Sequence, residues 1–115
     1  MLTGRAVLAG VAFTRWAFAR AEVEGTSMLP TFAPGDRLLL VRRWRPPRSG
    51  DLVALDDPRE GGRRLVKRVE SVHGEDVEVR GDSPDASTDS RAFGTVPCSS
   101  VTHFVVRRYA AGLAP

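Results

Sequence analysis

The chain of 115 residues is long enough for one domain with a modest core and too short for two. Hydrophobic residues make up 42% and charged residues 27% of it, which excludes a disordered or collagen-like protein. The 17 basic residues only slightly exceed the 14 acidic ones and are scattered along the sequence, so we expect no nucleic-acid partner.

The first 22 residues predict an N-terminal helix, because Ala, Leu, Val, Phe and Trp recur there between single arginines. The uninterrupted apolar run ends at Arg15, short of the roughly 20 residues that span a bilayer. We expect this helix to pack on the domain or to lie at a membrane interface. The protein would then be cytoplasmic or peripherally membrane-associated, with its main domain in residues 23–115.

Short apolar runs with a period of two follow the predicted helix, and turn-forming residues separate them. Such a pattern is typical of short strands. We therefore predict a mainly β fold, a coiled and partly closed β-structure after one helix. The predicted strands cover residues 37–44, 51–57, 63–72, 76–80 and 101–109.

The segment from Gly81 to Gly94 is the longest predicted loop, and it is rich in Asp and Ser. A compact domain rarely keeps so long a loop without a function, so we expect it to have one. Just beyond it, Cys98 is the only cysteine, which excludes an internal disulfide. We expect Cys98 to be a small, partly buried residue, and the two histidines show no metal-ligand spacing. No metal or cofactor is expected.

Alternation along the predicted strand 63–72 places Lys67 on the same face as Leu65 and Val69. A lysine at a sheet edge often extends its amine to water, which is the structural interpretation of Lys67. Apolar surroundings would instead disfavour the charged amine and lower its pKa. A lysine whose pKa falls by about three units, from ~10.4, can act as a base near neutrality.

Ser27 is the candidate partner of this base, since a serine hydroxyl is a poor nucleophile until its proton is removed. Gly25 lets the backbone approach a substrate closely, and Pro30 stiffens the turn that follows. A backbone amide near Ser27 could stabilise a developing oxyanion. Taken alone, a serine in a turn is far more often structural than catalytic, and the pairing with Lys67 carries the hypothesis.

Four segments, in this order, resemble the conserved blocks of the type I signal peptidases, which are serine endopeptidases with a Ser/Lys dyad. The segments are GTSMLPTF, PGDRLLLV, LVKRV and RGDSPDASTDSRAFGTV, and the match runs from about Val23 to Val106. The resemblance implies a signal peptidase or repressor-protease type of fold, with a groove that binds a protein or peptide substrate as an extended strand. It implies removal of a signal peptide or propeptide. The compact form also resembles a branch associated with maturation of nickel superoxide dismutase, an equal alternative to general signal-peptide processing.

The resemblance implies a role for each matching residue near the turn. Ser27 corresponds to the nucleophile and Lys67 to the general base, with Met28 and Pro30 shaping the turn. Some members of the family have a hydroxyl two residues before the nucleophile in the oxyanion hole. Gly25 stands at that position here, so the backbone amide of Ser27 would act without that side chain.

Three residues of the long loop also match. Ser87 is similar to the family's second hydroxyl, which hydrogen-bonds the lysine amine and orients it. Asp89 and Arg91 match a structural ion pair of the same block. The segment RGDSP departs from the family by having Ser83 where asparagine is usual.

Two other classes of function remain open from the sequence. Self-cleaving repressor proteases share the fold and cleave an Ala-Gly bond, and the chain contains Ala9-Gly10 and Ala111-Gly112. The first pair falls inside the predicted helix, and no helix-turn-helix module precedes it. A catalytically inactive binding module of the same fold is the other alternative, and the presence of both Ser27 and Lys67 weighs against it.

Overall fold

The computed structural model describes residues 17–112, which form one curled antiparallel sheet of seven strands. The order across the sheet is β1-β2-β7-β3-β4-β5-β6, with β1 and β6 at its two edges. The strands are β1 Phe18–Glu22, β2 Arg37–Arg42, β3 Leu52–Asp56, β4 Arg64–His73, β5 Asp76–Arg80, β6 Val96–Pro97 and β7 Val101–Ala110.

The mainly β prediction is confirmed, and all five predicted strands are present with ends shifted by at most two residues. Strand β6 was not predicted. The predicted loop from Gly81 to Gly94 contains two short helical segments, a 3-10 turn at Pro84–Ala86 and a one-turn helix, α1, at Ser90–Phe93. A second 3-10 turn, Cys98–Ser100, precedes β7, and the side chain of Cys98 is partly buried.

The predicted N-terminal helix is wrong for Phe18–Glu22, which forms strand β1, while residues 1–16 lie outside the described part of the chain. Strand β1 pairs along its whole length with β2. Ala19 and Ala21 pack against the core, whereas the alternate side chains are exposed. Pairing with a neighbouring strand outweighs the helix propensity of the alanines. Within residues 17–112, no helix is long and apolar enough to cross a membrane.

Two apolar clusters lie on opposite faces of the sheet. Alternation along β3 separates them, because Val53 and Leu55 belong to the first cluster and Ala54 to the second. The second cluster includes Met28 and therefore joins the segment before β2 to the sheet. The first consists of Val53, Leu55, Leu65, Val69, Val77, Val79, Val96, Val101 and Phe104, and the second of Val23, Met28, Phe32, Leu38, Leu40 and Ala54.

Candidate active site

The segment between β1 and β2 carries Ser27 in a turn that the core holds in place. Met28 is 1% exposed and lies in the second apolar cluster, so it anchors the turn from below. Ser27 beside it is half-buried. Gly25 has a φ of +72°, a left-handed conformation that favours glycine. Pro30 is exposed and follows a cis peptide bond.

Lys67 is buried on β4, with only 3% of its surface exposed, on the face that the strand alternation predicted. Its Nζ donates a hydrogen bond of 3.1 Å to Ser87 Oγ. Burial lowers the pKa of the Lys67 amine; the charge of Asp89 opposes this shift, and the charges of Arg59 and Arg91 add to it. A larger fraction of the amine is therefore neutral than in an exposed lysine.

The long loop brings Ser87, Asp89 and Arg91 to the amine as one connected group. The Ser87 hydroxyl donates to Asp89 Oδ2 at 2.9 Å, which leaves its oxygen free to accept from Lys67. Arg91 donates two hydrogen bonds to the Asp89 carboxylate, of 3.0 and 2.6 Å. The ion pair between Asp89 and Arg91 is thus present, and it directs the Ser87 hydroxyl proton away from the lysine.

Asp89 is fully buried yet remains ionised. Burial by itself raises the pKa of its carboxyl, but hydrogen bonds from the Arg91 side chain, the Gly81 and Arg91 amides and the Ser87 hydroxyl outweigh burial. The net effect holds the pKa of Asp89 well below its ordinary value. The site therefore contains a fixed negative charge two residues from the hydroxyl that orients the lysine.

Asp82 connects the turn that carries Ser27 with the strand that carries Lys67, a connection that was not predicted from the sequence. Its carboxylate accepts a hydrogen bond from the Thr31 hydroxyl and two of 2.9 Å from Arg68. The next residue, Ser83, donates its backbone N–H to the Ser27 carbonyl at 2.9 Å. The loop therefore contacts the backbone of Ser27 and the neighbours of both proposed catalytic residues, Thr31 in the turn and Arg68 on β4.

Gly81 is a second residue that sequence reasoning missed. Its N–H donates to Asp89 Oδ2 at 3.0 Å, and its backbone lies against Ser87 and Ser27. A Cβ at this position would lie 2.0 Å from Ser87 Oγ and 2.6 Å from the Ser27 carbonyl oxygen. The available signal was the Gly-Asp pair in RGDSP, which stands immediately after a predicted strand.

Ser27 and Lys67 line the same cleft, which has a volume of about 420 Å³. Leu40, Ala54 and Val66 supply apolar walls. Among the described residues no hydrogen bond joins Ser27 to Lys67. The two groups thus share a cavity, and the amine is hydrogen-bonded to Ser87.

The chain matches the family described as "Signal peptidase, peptidase S26" over residues 1–83, which is more than half of its length. The chain belongs to this family. Signal peptidases of this family are serine peptidases, and the curled β-sheet with Ser27 and Lys67 in one cleft agrees with that membership.

The chain is also similar to two proteins from Arabidopsis thaliana and one from Mus musculus. It is 30% identical to mitochondrial ATP-independent inner membrane protease subunit 1b, over 67% of this chain and 61% of that protein. It is 32% identical to subunit 1a, over 76% of this chain and 67% of that protein. Mouse mitochondrial inner membrane protease subunit 2 is 30% identical, over 66% of this chain and 58% of its own length. The chain thus spans about three fifths to two thirds of these relatives.

Lys67 has a further property that the alternation along its strand did not reveal. It is the only lysine among 17 basic residues, the others being arginines. An arginine stays charged at any physiological pH and cannot act as a base, whereas a lysine can lose its proton. The single basic residue able to become neutral is therefore the one that is buried in the cleft.

Proposed function

We propose that the chain is a serine endopeptidase in which Ser27 is the nucleophile and Lys67 the general base. Its reaction removes a signal peptide or propeptide from a protein substrate. The observation that carries this proposal is the buried amine of Lys67, held by Ser87 in the cleft that Ser27 also lines. Membership in the signal peptidase family supports the class of reaction.

The first step transfers a proton and forms a covalent bond. Neutral Lys67 takes the proton of the Ser27 hydroxyl while Oγ attacks the scissile carbonyl carbon. The oxyanion that forms is stabilised by the backbone amide of Ser27, which donates to no other acceptor within residues 17–112. Lys67 then protonates the leaving amine, and the acyl group stays on Ser27. In the second half, Lys67 takes a proton from water as the water oxygen attacks the acyl carbon. The protonated amine then returns this proton to Ser27 Oγ as the ester bond breaks, which releases the new carboxyl group and restores neutral Lys67.

Ser87 orients the base during these transfers. A neutral amine has two protons and one lone pair, and the hydrogen bond to Ser87 uses one proton. The lone pair can then face the Ser27 side of the cleft. Asp89 and Arg91 act through Ser87, because they fix the direction of its hydroxyl.

The edge of the sheet at β1 suits an extended substrate. Within residues 17–112, β1 pairs with β2 on one side only, and Ala21, Val23 and Gly25 line the cleft beside it. A substrate strand can add there through backbone hydrogen bonds, which place its scissile bond beside Ser27. Contact with a membrane is part of the proposal, since the similar proteins are named as inner membrane proteases.

Two narrower alternatives gain no support. A dedicated role in maturing nickel superoxide dismutase has no counterpart in the names of the similar proteins. Of the two Ala-Gly bonds considered for self-cleavage, Ala9-Gly10 lies outside the described residues. Gly112 of the other bond donates its N–H to the buried Asp36 at 2.7 Å, and neither residue of that bond lines the cleft that contains Lys67.

The test is cleavage of a precursor protein by purified full-length variants. We expect Ser27→Ala and Lys67→Ala each to lower kcat by about a thousandfold or more while the fold is kept. Ser49→Ala, which alters an exposed serine whose hydroxyl bonds a backbone carbonyl, is the matched control and should cleave normally. Normal cleavage by purified Lys67→Ala would show that the assignment of the base is wrong.

A further inference from the structure

A second cavity, of about 410 Å³, continues the cleft along the same face of the sheet. The apolar walls of the cleft include Leu40 on β2 and Val66 on β4. Arg42 lies two residues from Leu40 along β2, and Arg64 lies two residues from Val66 along β4, so each shares a face of the sheet with that neighbour. Both arginines line the second cavity. Arg64 lines both cavities. A substrate polypeptide that lies in the cleft can therefore extend past the apolar walls into the second, basic cavity.

Positive charge dominates this basic part. His103 is directly paired with Arg42 across the sheet and lines the same cavity. Burial lowers the pKa of His103, the charges of Arg64 and Arg42 lower it further, and Asp56 opposes them. Asp56 is the cross-strand neighbour of Arg64 and is exposed, so it reduces the local positive potential without cancelling it.

Arg64 differs from the other arginines at this end of the cleft. Arg59 and Arg63 share the buried carboxylate of Asp57, at 3.1 and 3.8 Å. Arg43 donates its Nε to the Val101 carbonyl at 2.8 Å. The Arg64 guanidinium has no hydrogen bond or ion pair with any residue from 17 to 112, although its backbone pairs with β3. Its guanidinium is therefore available to a ligand without first breaking a contact.

We propose that this basic extension of the cleft binds a carboxylate side chain of the polypeptide substrate, with Arg64 as the principal contact. Arg42 and His103 contribute to the same anionic subsite. The inference rests on the proposed peptidase function for the nature of the ligand. A guanidinium matches a carboxylate through two parallel hydrogen bonds, which gives geometric specificity as well as attraction.

The position of the acidic residue follows from the spacing along β4. Arg64 lies two residues beyond Val66 on the same face, or about 7 Å along an extended strand, whereas Lys67 belongs to the opposite face of β4. A substrate strand in the cleft would thus place its acidic side chain about two residues beyond the side chain that meets Val66. Glu22 and Glu24 line the opposite, β1 side of the cleft, so an acidic residue is disfavoured there. We therefore expect a preference for an acidic residue at only one position of the substrate.

Binding to full-length Ser27→Ala tests the subsite without requiring cleavage. The probes are alanine-rich peptides of about twelve residues, long enough to span both cavities, which carry an uncharged fluorophore. A single Glu is placed at successive positions, with Gln and Lys peptides as references, and binding is followed by fluorescence anisotropy. At low salt we expect Glu at one position to tighten binding about fivefold relative to Gln, and physiological salt to reduce this advantage.

Variants of Arg64 identify the contact. Arg64→Gln should remove the advantage of Glu, Arg64→Lys should keep part of it, and Arg64→Glu should favour the Lys peptide instead. Arg107→Gln is the matched control, because Arg107 is exposed and pairs with Leu39, which faces the other side of the sheet from Leu40. Thermal unfolding of each variant verifies that the fold is intact.

Several results would overturn the subsite. They are equal binding of Glu and Gln peptides, no detectable binding of any Glu peptide, an advantage of Glu at every position, and an equal loss with Arg107→Gln. Arg64-dependent binding to phosphatidylglycerol vesicles without any preference among peptides would assign the site to a lipid headgroup. Cleavage by the wild-type chain is measured separately. If the chain prefers Glu peptides in binding but does not cleave a precursor, the subsite is supported and the peptidase proposal is wrong. If it cleaves a precursor but shows no preference for Glu peptides, the peptidase proposal is supported and the subsite is wrong.

Discussion

Strand β4 and the loop 81–94 bring their groups to the site by different physical means. The strand positions Lys67 through regular alternation, with Leu65 and Val69 packed in the first apolar cluster on either side of it. The loop positions Ser87 through polar contacts that converge on the buried Asp89. The strand therefore sets the protonation of the amine by burial, and the loop sets its orientation by hydrogen bonds.

Gly81→Ala is expected to have the largest effect on this pair of regions, since its Cβ would overlap both Ser87 Oγ and the Ser27 carbonyl oxygen. The loop must move away from the turn, which should cost about 3 kcal/mol of unfolding free energy and at least a hundredfold in kcat. Denaturant unfolding and cleavage rates measure the two losses. Gly61→Ala is the matched control, because a Cβ at Gly61 meets nothing within 4 Å. Equal effects of the two changes would contradict the close packing of Gly81.

Lys67→Met separates the contribution of the strand to function from its contribution to stability. Met has a similar length and no charge, so activity should vanish while the unfolding free energy rises by about 1 kcal/mol near neutral pH. The pKa of Lys67 is lowered in the fold, so the unfolded chain binds more protons. The cost of burying Lys67 is therefore complete below its folded pKa and disappears as pH rises toward about 10.4.

Two measurements examine this prediction. The stability difference between Lys67→Met and the wild type should shrink as pH is raised, and a difference that grows would contradict the burial argument. Because Lys67 is the only lysine, selective 15N labelling of lysine gives a single Nζ signal in NMR. Its titration midpoint should lie below that of a free lysine. The kcat/KM of cleavage should rise with pH through the same midpoint.

Thr31→Val should have the smallest effect and tests the connection between the turn and the loop. The change removes the hydroxyl that donates to Asp82 but leaves both hydrogen bonds from Arg68 to that carboxylate. We expect a loss of about 1 kcal/mol in unfolding free energy and a severalfold decrease in kcat with little change in KM. Thr95→Val is the comparison, because Thr95 is exposed and its hydroxyl makes no hydrogen bond within residues 17–112. A loss from Thr95→Val as large as that from Thr31→Val would argue against the importance of the Asp82 connection.

The same contrast explains which features the sequence could predict. The direction of Lys67 followed from alternation within one strand, which is a local property. Strand β1 was missed because its alanines favour a helix, and only pairing with β2 makes it a strand. The role of Asp82 was missed because its partner Thr31 lies 51 residues away, a contact that exists only after the sheet has formed. The catalytic roles of Ser27 and Lys67 remain predictions that the experiments above address.

The edge at β1 that suits a substrate strand is also a surface on which a second copy of the chain could pair. In a symmetric antiparallel pairing of two β1 strands about their centre, Arg20 would face Arg20 of the other copy. Two like charges directly opposite each other destabilise such a pair. A peptide with an uncharged residue at that point escapes the repulsion. Arg20 thereby helps to keep the edge open to substrates while it opposes aggregation through edge-to-edge pairing.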